Sequence, residues 1–173
     1  MADDTLERFE RAFLPLMDDA YTLARTLTRH DDAAQDAVQE AYLRAWRHFP
    51  SFRGDGGGER AWLLTIVRHC CYTWRERTRV ARLAVEYKDE QHGRDESSRF
   101  TADARVLEDS DRRQLRAALA QLPAEHREVI VLREIEGMSY KEIASVVGVP
   151  IGTVMSRLAR ARERLQHALE RSA

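Results

Sequence analysis

Cysteine is almost missing from this 173-residue chain, and its two copies, Cys70 and Cys71, are adjacent, which excludes a disulfide framework. No run of 18 apolar residues occurs, so no membrane-spanning helix is expected. The opening MADDTLERFER is acidic and lacks the basic-then-apolar order of a secretory leader. A cytoplasmic protein with no membrane insertion of its own is the expectation. Catalytic patterns are missing too. The glycines of GDGGG follow no strand and lead to no Lys-Ser/Thr ending, so they do not form a phosphate-cradling loop. His69, Cys70 and Cys71 are the one soft-ligand cluster, but consecutive helical residues point about 100° apart and cannot jointly hold one metal. With no Ser/His/Asp set at a recognisable spacing, the chain is expected not to be an enzyme and to need no metal or cofactor.

What the chain does have is helical periodicity. Net charge is only −1, which argues against indiscriminate coating of nucleic acid. The charge is segmented, however: residues 1–50 carry six Lys/Arg against ten Asp/Glu, whereas residues 51–79 carry six against three. Residues 80–111 return to five against nine, and residues 112–173 carry eleven against seven. Alternating acidic and basic segments suit a protein that meets another protein on some surfaces and DNA on others.

Residues 137–169 organise the C-terminal part. Ser139 and Glu142 form a capping-box pair that starts a helix, and Gly148 supplies the left-handed residue that ends it. Pro150 then fits the first turn of a second helix over residues 151–169. On that helix Val154, Leu158, Ala161, Leu165 and Ala168 share an apolar face. Thr153, Ser156, Arg157, Arg160 and Arg164 lie opposite. A short helix, a glycine turn and a longer arginine-lined helix describe a helix-turn-helix able to enter the DNA major groove. An antiparallel helix pair with a solvated basic face is the alternative that pattern alone leaves open.

Earlier in the chain, residues 6–27 read as two amphipathic helices bent near Pro15. Asp31 or Asp32 is expected to cap a helix over residues 33–48, whose apolar side includes Ala37, Tyr42 and Trp46 and whose polar side carries Asp36, Gln39, Glu40 and Arg44. A Pro/Gly-dense loop follows, flanked by Phe52 and Arg53. The next helix, residues 59–79, interleaves Trp62, Tyr72 and Trp74 with Arg60, Arg68, His69, Arg75 and Arg77. Aromatics among arginines can stack on unpaired bases while phosphates are neutralised; packing into the core is the other use for the same rings. Residues 80–109 lose periodicity and read as a linker. Helical pattern resumes near Ser110 with Leu115, Ala118, Leu119 and Leu122. Pro123 opens a further helix expected to bury Val129, Ile130, Leu132 and Ile135.

The run DAVQEAYLRAW, then FPSFRGD and AWLLTIVRH, resembles region two of an extracytoplasmic-function sigma factor of the sigma-70 family. LPAEHREVIVLREIEGMSYKEIASVVGVPIGTVMSRLARARERL resembles region four of the same family. The resemblance implies an all-α chain: region two over residues 1–79, a flexible linker over 80–110, and region four with its helix-turn-helix over 111–173. It further implies a promoter-specificity subunit that binds core RNA polymerase and promoter DNA and is regulated by an anti-sigma factor. By the same likeness Asp36, Gln39, Glu40 and Arg44 dock on polymerase. Phe52, Arg53, Arg60, Trp62, Arg68, His69, Tyr72 and Arg75 read the −10 element and hold a flipped base. Thr153, Met155, Ser156, Arg157, Arg160 and Arg164 meet the −35 element. Ala37, His69, Thr73 and Met155 depart from the usual residues, so no consensus bases are transferred. Two rival readings are a stand-alone helix-turn-helix regulator and a sigma mimic that sequesters an anti-sigma factor.

Overall fold

The computed structural model describes residues 2–54, 58–89 and 110–171. Among them every regular element is helical. Helix α1 (Ala2–Phe13) runs through a 3₁₀ turn, Leu14–Leu16, into α2 (Met17–Thr28). Pro15 sits in that turn, where its missing N–H costs no helical bond. Helix α3 (Asp31–His48) ends in a second 3₁₀ turn, Phe49–Ser51, and α4 (Glu59–Asp89) follows. The C-terminal half comprises α5 (Ser110–Gln121), α6 (Ala124–Ile130), a π-helical turn at Val131–Ile135, α7 (Tyr140–Val147) and α8 (Ile151–Glu170).

Four sequence expectations are corrected. Neither Asp31 nor Asp32 caps α3, because His30 occupies the cap position and makes no side-chain cap bond; Asp31 instead accepts from the Arg25 guanidinium. Helix α4 continues to Asp89, ten residues into the stretch read as linker, and residues 90–109 lie outside the described residues. Ile135 is 57% exposed rather than buried. The π turn adds a residue to the helical repeat and so rotates Ile135 out of phase, and the fully buried Met138 fills the core beyond it. Trp46 is 39% exposed, its ring set edge-to-face with that of Phe9, 5.2 Å between centroids.

The two halves, region two and region four of the sequence reading, pack against each other. A bundle of α2, α3 and α4 buries Leu23, Leu27, Ala34, Ala41, Leu63, Leu64 and Val67. The C-terminal helices bury Val129, Leu132, Ile143, Val154 and Leu158. These sets form one continuous buried cluster, because α4 packs on α7 and α2 on α6. Polar bonds stitch the same seam. Arg127, buried on α6, donates to Leu119 O at 2.9 Å, to Leu122 O at 2.8 Å and across to Thr26 O at 2.9 Å. Burial lowers its pKa to about 10, so it still carries its charge at neutral pH.

The capping box forms as read. Glu142 N–H donates to Ser139 Oγ at 3.2 Å and Ser139 N–H donates to Glu142 Oε2 at 2.7 Å. The second bond, with the Ser139 hydroxyl, holds the Glu142 carboxyl below its usual range. Its contribution is complete above the ordinary glutamate pKa and disappears as pH falls through the depressed value. Ser139→Ala is expected to lower unfolding free energy by about 1 kcal/mol in urea titrations at neutral pH, with the deficit shrinking in acid. Cys70 and Cys71 are buried free thiols, and burial pushes both up, Cys71 to about 12. Thiolate is the reactive form, so a neutral-pH disulfide-exchange reagent is expected to leave the native chain unlabelled and to label both cysteines in denaturant.

Candidate nucleic-acid interface

Helices α7 and α8 meet at 98°, within the range of DNA-binding helix-turn-helix pairs. Gly148 makes the bend possible at φ 71°, a left-handed conformation that costs a side-chain-bearing residue about 1–2 kcal/mol. Val154, Leu158, Ala161 and Ala168 face inward from α8. Met155, Ser156, Arg160 and Arg164 are exposed on the other side; Thr153 and Arg157 are half-buried. Arg157 reaches Glu125 at 3.4 Å. Beneath this face lies His126, buried, with Nδ1 unbonded among the described residues. Burial, followed by the charge of Arg164, depresses its pKa, so α8 rests on a neutral imidazole.

The second basic surface is built on α4. Its aromatic residues divide between the core and the surface. Phe52 and Trp62 pack at 4.5 Å between centroids with their planes tilted by 33°, and both rings also meet Phe13, at 5.8 and 5.4 Å. Gly54 is needed there: an added Cβ would stand 2.6 Å from the Phe52 ring. Phe52 and Trp62 therefore serve packing in this arrangement. Trp74 packs edge-on to His30, 5.9 Å between centroids. Tyr72 differs. Its half-buried ring lies between two guanidinium groups, Arg68 at 4.4 Å and Arg75 at 5.3 Å. Arg53 and His69 are exposed.

Arg60 and Arg68 are engaged with the other half of the protein. Arg68 Nε donates to Glu128 Oε2 at 2.8 Å and Nη2 to Oε1 at 3.1 Å, a two-pronged bond to a carboxylate with no exposed surface. Burial raises the Glu128 pKa, and Arg68 opposes that rise. Arg60 Nε donates to Asp19 Oδ2 at 2.7 Å, and Nη2 donates to Glu136 Oε2 at 2.8 Å and Glu136 O at 2.7 Å.

A third surface lies on α3. Asp36 and Gln39 are exposed, and Glu40 accepts from Arg44 Nε at 2.7 Å, which holds the Glu40 carboxyl low. Leu43, 48% exposed, falls on the same face at the seven-residue step from Asp36. It was missing from the sequence-derived set, although an apolar residue inside a polar helical stripe is a readable signal.

The sigma-70 region 2 family model matches residues 13–81 and the sigma-70 region 4 model matches residues 112–165. The ECF RNA polymerase sigma factor EcfG of Rhodopseudomonas palustris is 35% identical over 146 residues, covering 84% of this chain and 76% of that one. SigL of Mycobacterium tuberculosis, also an ECF RNA polymerase sigma factor, is 38% identical over 148 residues, 85% of this chain and 80% of its own. The chain belongs to the ECF sigma factor family. Its fold agrees with the solved sigma factor RpoE of Bartonella quintana in complex with the anti-sigma factor NepR: TM-score 0.73, 33% identity, 95% of this chain and 98% of that one.

In this ECF sigma factor the residues expected to capture the strand lie on α4 and in the loop before it, and several are already engaged. Arg53, His69 and Tyr72 with Arg75 form the accessible part of that surface; Arg60 and Arg68 are held by carboxylates. Sequence reading missed Asp19, Glu128 and Glu136, because nothing in the order of residues announces an ion pair between positions 41 to 76 apart. A buried pair stripped of one member leaves an uncompensated charge, so Arg68→Ala is expected to destabilise by about 3–5 kcal/mol. The exposed Arg160→Ala is expected to stay within about 0.5 kcal/mol of the parent in the same urea titration.

Proposed function

We propose that this chain is a promoter-specificity subunit that docks on core RNA polymerase through α3, captures the −10 element with α4 and meets the −35 element with α8. The observation that carries the reading is the outward display of Ser156, Arg160 and Arg164 on a 98° helix-turn-helix, in the same chain as an arginine-flanked Tyr72. On α8, Arg160 reads bases through its planar fork, Thr153, Met155 and Ser156 line the groove contact, and Arg157 and Arg164 secure phosphates. On α4, Tyr72 supplies a stacking face beside Arg68 and Arg75, with Arg60 and His69, and Arg53 from the preceding loop, along the strand. Phe52 and Trp62 hold the platform from beneath. On α3, Asp36, Gln39, Glu40, Arg44 and Leu43 make the polymerase contact, with Leu43 as its apolar centre.

No nucleotide hydrolysis is asked of this chain, and the family is one of non-enzymatic initiation factors. Melting requires that the open strand be held better than the duplex. Stacking one base contributes about 1–3 kcal/mol, and extruding it costs a few kcal/mol. One tyrosine roughly offsets one flipped base, so the remaining stabilisation comes from polymerase. The chain therefore acts as a holoenzyme subunit in the cytoplasm. The likeness to RpoE, solved with NepR, supports an anti-sigma partner for this chain as well.

Run-off transcription with purified core enzyme on a promoter library tests the assignment. Promoter-selective transcripts are expected with this chain and none with core alone; selective operator binding by the free chain without transcription would instead mark a stand-alone regulator. In the same assay Arg160→Ala is expected to lose about 1–3 kcal/mol at particular −35 base pairs while other positions are unaffected. A uniform loss across the randomised element would place Arg160 on phosphate.

A further inference from the structure

Helix α8 carries an apolar stripe that its arginines leave unexplained. Ile151 and Met155 are 45% and 53% exposed, and Ala159 is exposed one turn further on. At 100° per residue these i, i+4 and i+8 positions follow one side of the helix, beside the inward line of Val154, Leu158 and Ala161. Gly152, where an added Cβ would meet nothing within 4 Å, opens the surface next to them.

Single exposed apolar residues need no explanation. Here three stand in register on the opening turns of the second helix of a helix-turn-helix, the turns that reach base edges. Neither solvation nor helix propensity favours isoleucine at such a position. Further along, the outward residues Glu163 and Glu170 are acidic and exposed, and phosphates repel them. The part of α8 suited to the groove is therefore the part that bears the stripe.

The arginine on this side of the helix, Arg162, seven residues after Met155, is engaged by Glu134, with Nη2 donating to Oε1 at 2.6 Å. Ser156 and Arg160 stand exposed on the other flank. The helix thus offers hydrogen bonds on one flank and hydrocarbon on the other. In the major groove the hydrocarbon that an unmodified base pair shows is the C5-methyl group of thymine. From Ile151 to Ala159 the helix rises about 12 Å, the length of three to four base-pair steps.

We propose that Ile151, Met155 and Ala159 form a thymine-methyl reader centred on Met155, so that the −35 element of this chain contains a thymine selected through its methyl group, next to the base pair addressed by Arg160. The unbranched thioether of Met155 adapts its shape to that methyl and asks for no hydrogen bond. The inference rests on the sigma-factor reading given above and gives that site a base preference.

The test selects duplexes carrying a randomised −35 segment, once with the full chain bound to core polymerase and once with the free chain. In the selected sequence each thymine is replaced in turn by uracil, which removes the methyl group and keeps every hydrogen-bonding group. At one thymine, uracil is expected to weaken binding about fourfold, the effect of leaving one methyl group uncovered. In Met155→Ser that ratio is expected to fall to about one, and Met155→Arg is expected to lose the uracil effect and select guanine at the same position. Gln166→Ser, exposed on the same side three turns further on, is expected to keep the fourfold ratio. Circular dichroism establishes that each variant is folded. A selected element without thymine, no uracil effect at any thymine, or an equal effect in the parent and Met155→Ser would overturn the reader. So would a folded Met155→Ser chain that no longer assembles with core polymerase, which would place the stripe on protein. Run-off transcription is scored in parallel. Promoter-selective transcription without a uracil effect refutes the methyl reader alone, a Met155-dependent uracil effect without transcription refutes the initiation reading alone, and selection of no sequence by either form refutes both.

Discussion

A carboxylate with no exposed surface has lost its hydration, and the loss is tolerable only beside a cation that is itself well bonded. Glu128 is in that position, and its cation, Arg68, stands on a helix of the opposite half. The pair ties α4 to α6, and α8 packs on α6, so the placement of α8 depends in part on this bond. Arg127, the preceding residue, continues the seam by donating to carbonyl oxygens on both sides of it. Here the same region of α6 supplies one buried anion and one buried cation, facing different neighbours.

Arginine suits both the observed carboxylate pairing and the strand contact proposed for the α4 surface. Its fork fits carboxylate and phosphate with nearly the same geometry, so a residue fitted to DNA is also fitted to Glu128 or Glu136. Lysine would make a point contact and hold neither so firmly. The aromatics divide differently, since the Trp62 ring packs against Phe13 and Phe52, while the half-buried Tyr72 ring carries the guanidinium groups of Arg68 and Arg75.

The seam is also more polar than either half's interior, with two ion-pair systems and a cross-seam carbonyl bond set among apolar contacts. Interfaces of this character are the kind that domains form and release. The interiors, by contrast, are lined by Leu23, Leu63, Val129 and Leu158, whose separation from one another would expose only hydrocarbon to water.

Local order was readable because it depends on residues a few positions apart: the Ser139–Glu142 box, the left-handed Gly148, the Pro15 turn and the inward stripe of α8 all follow from helical periodicity and backbone preference. The outward arginines of α8 followed from the same periodicity, as did the polar face of α3. Periodicity could not locate the π turn that exposes Ile135, nor tell that Trp62 packs among other rings while Tyr72 meets guanidinium groups, since both occupy plausible positions on one helix. It read a linker at residue 80, where α4 in fact continues to Asp89. The pairing of Arg60 with Glu136 and of Arg68 with Glu128 was decided only by the tertiary structure. Which anion meets a guanidinium depends on distances through space between remote segments, and no spacing along the chain encodes them.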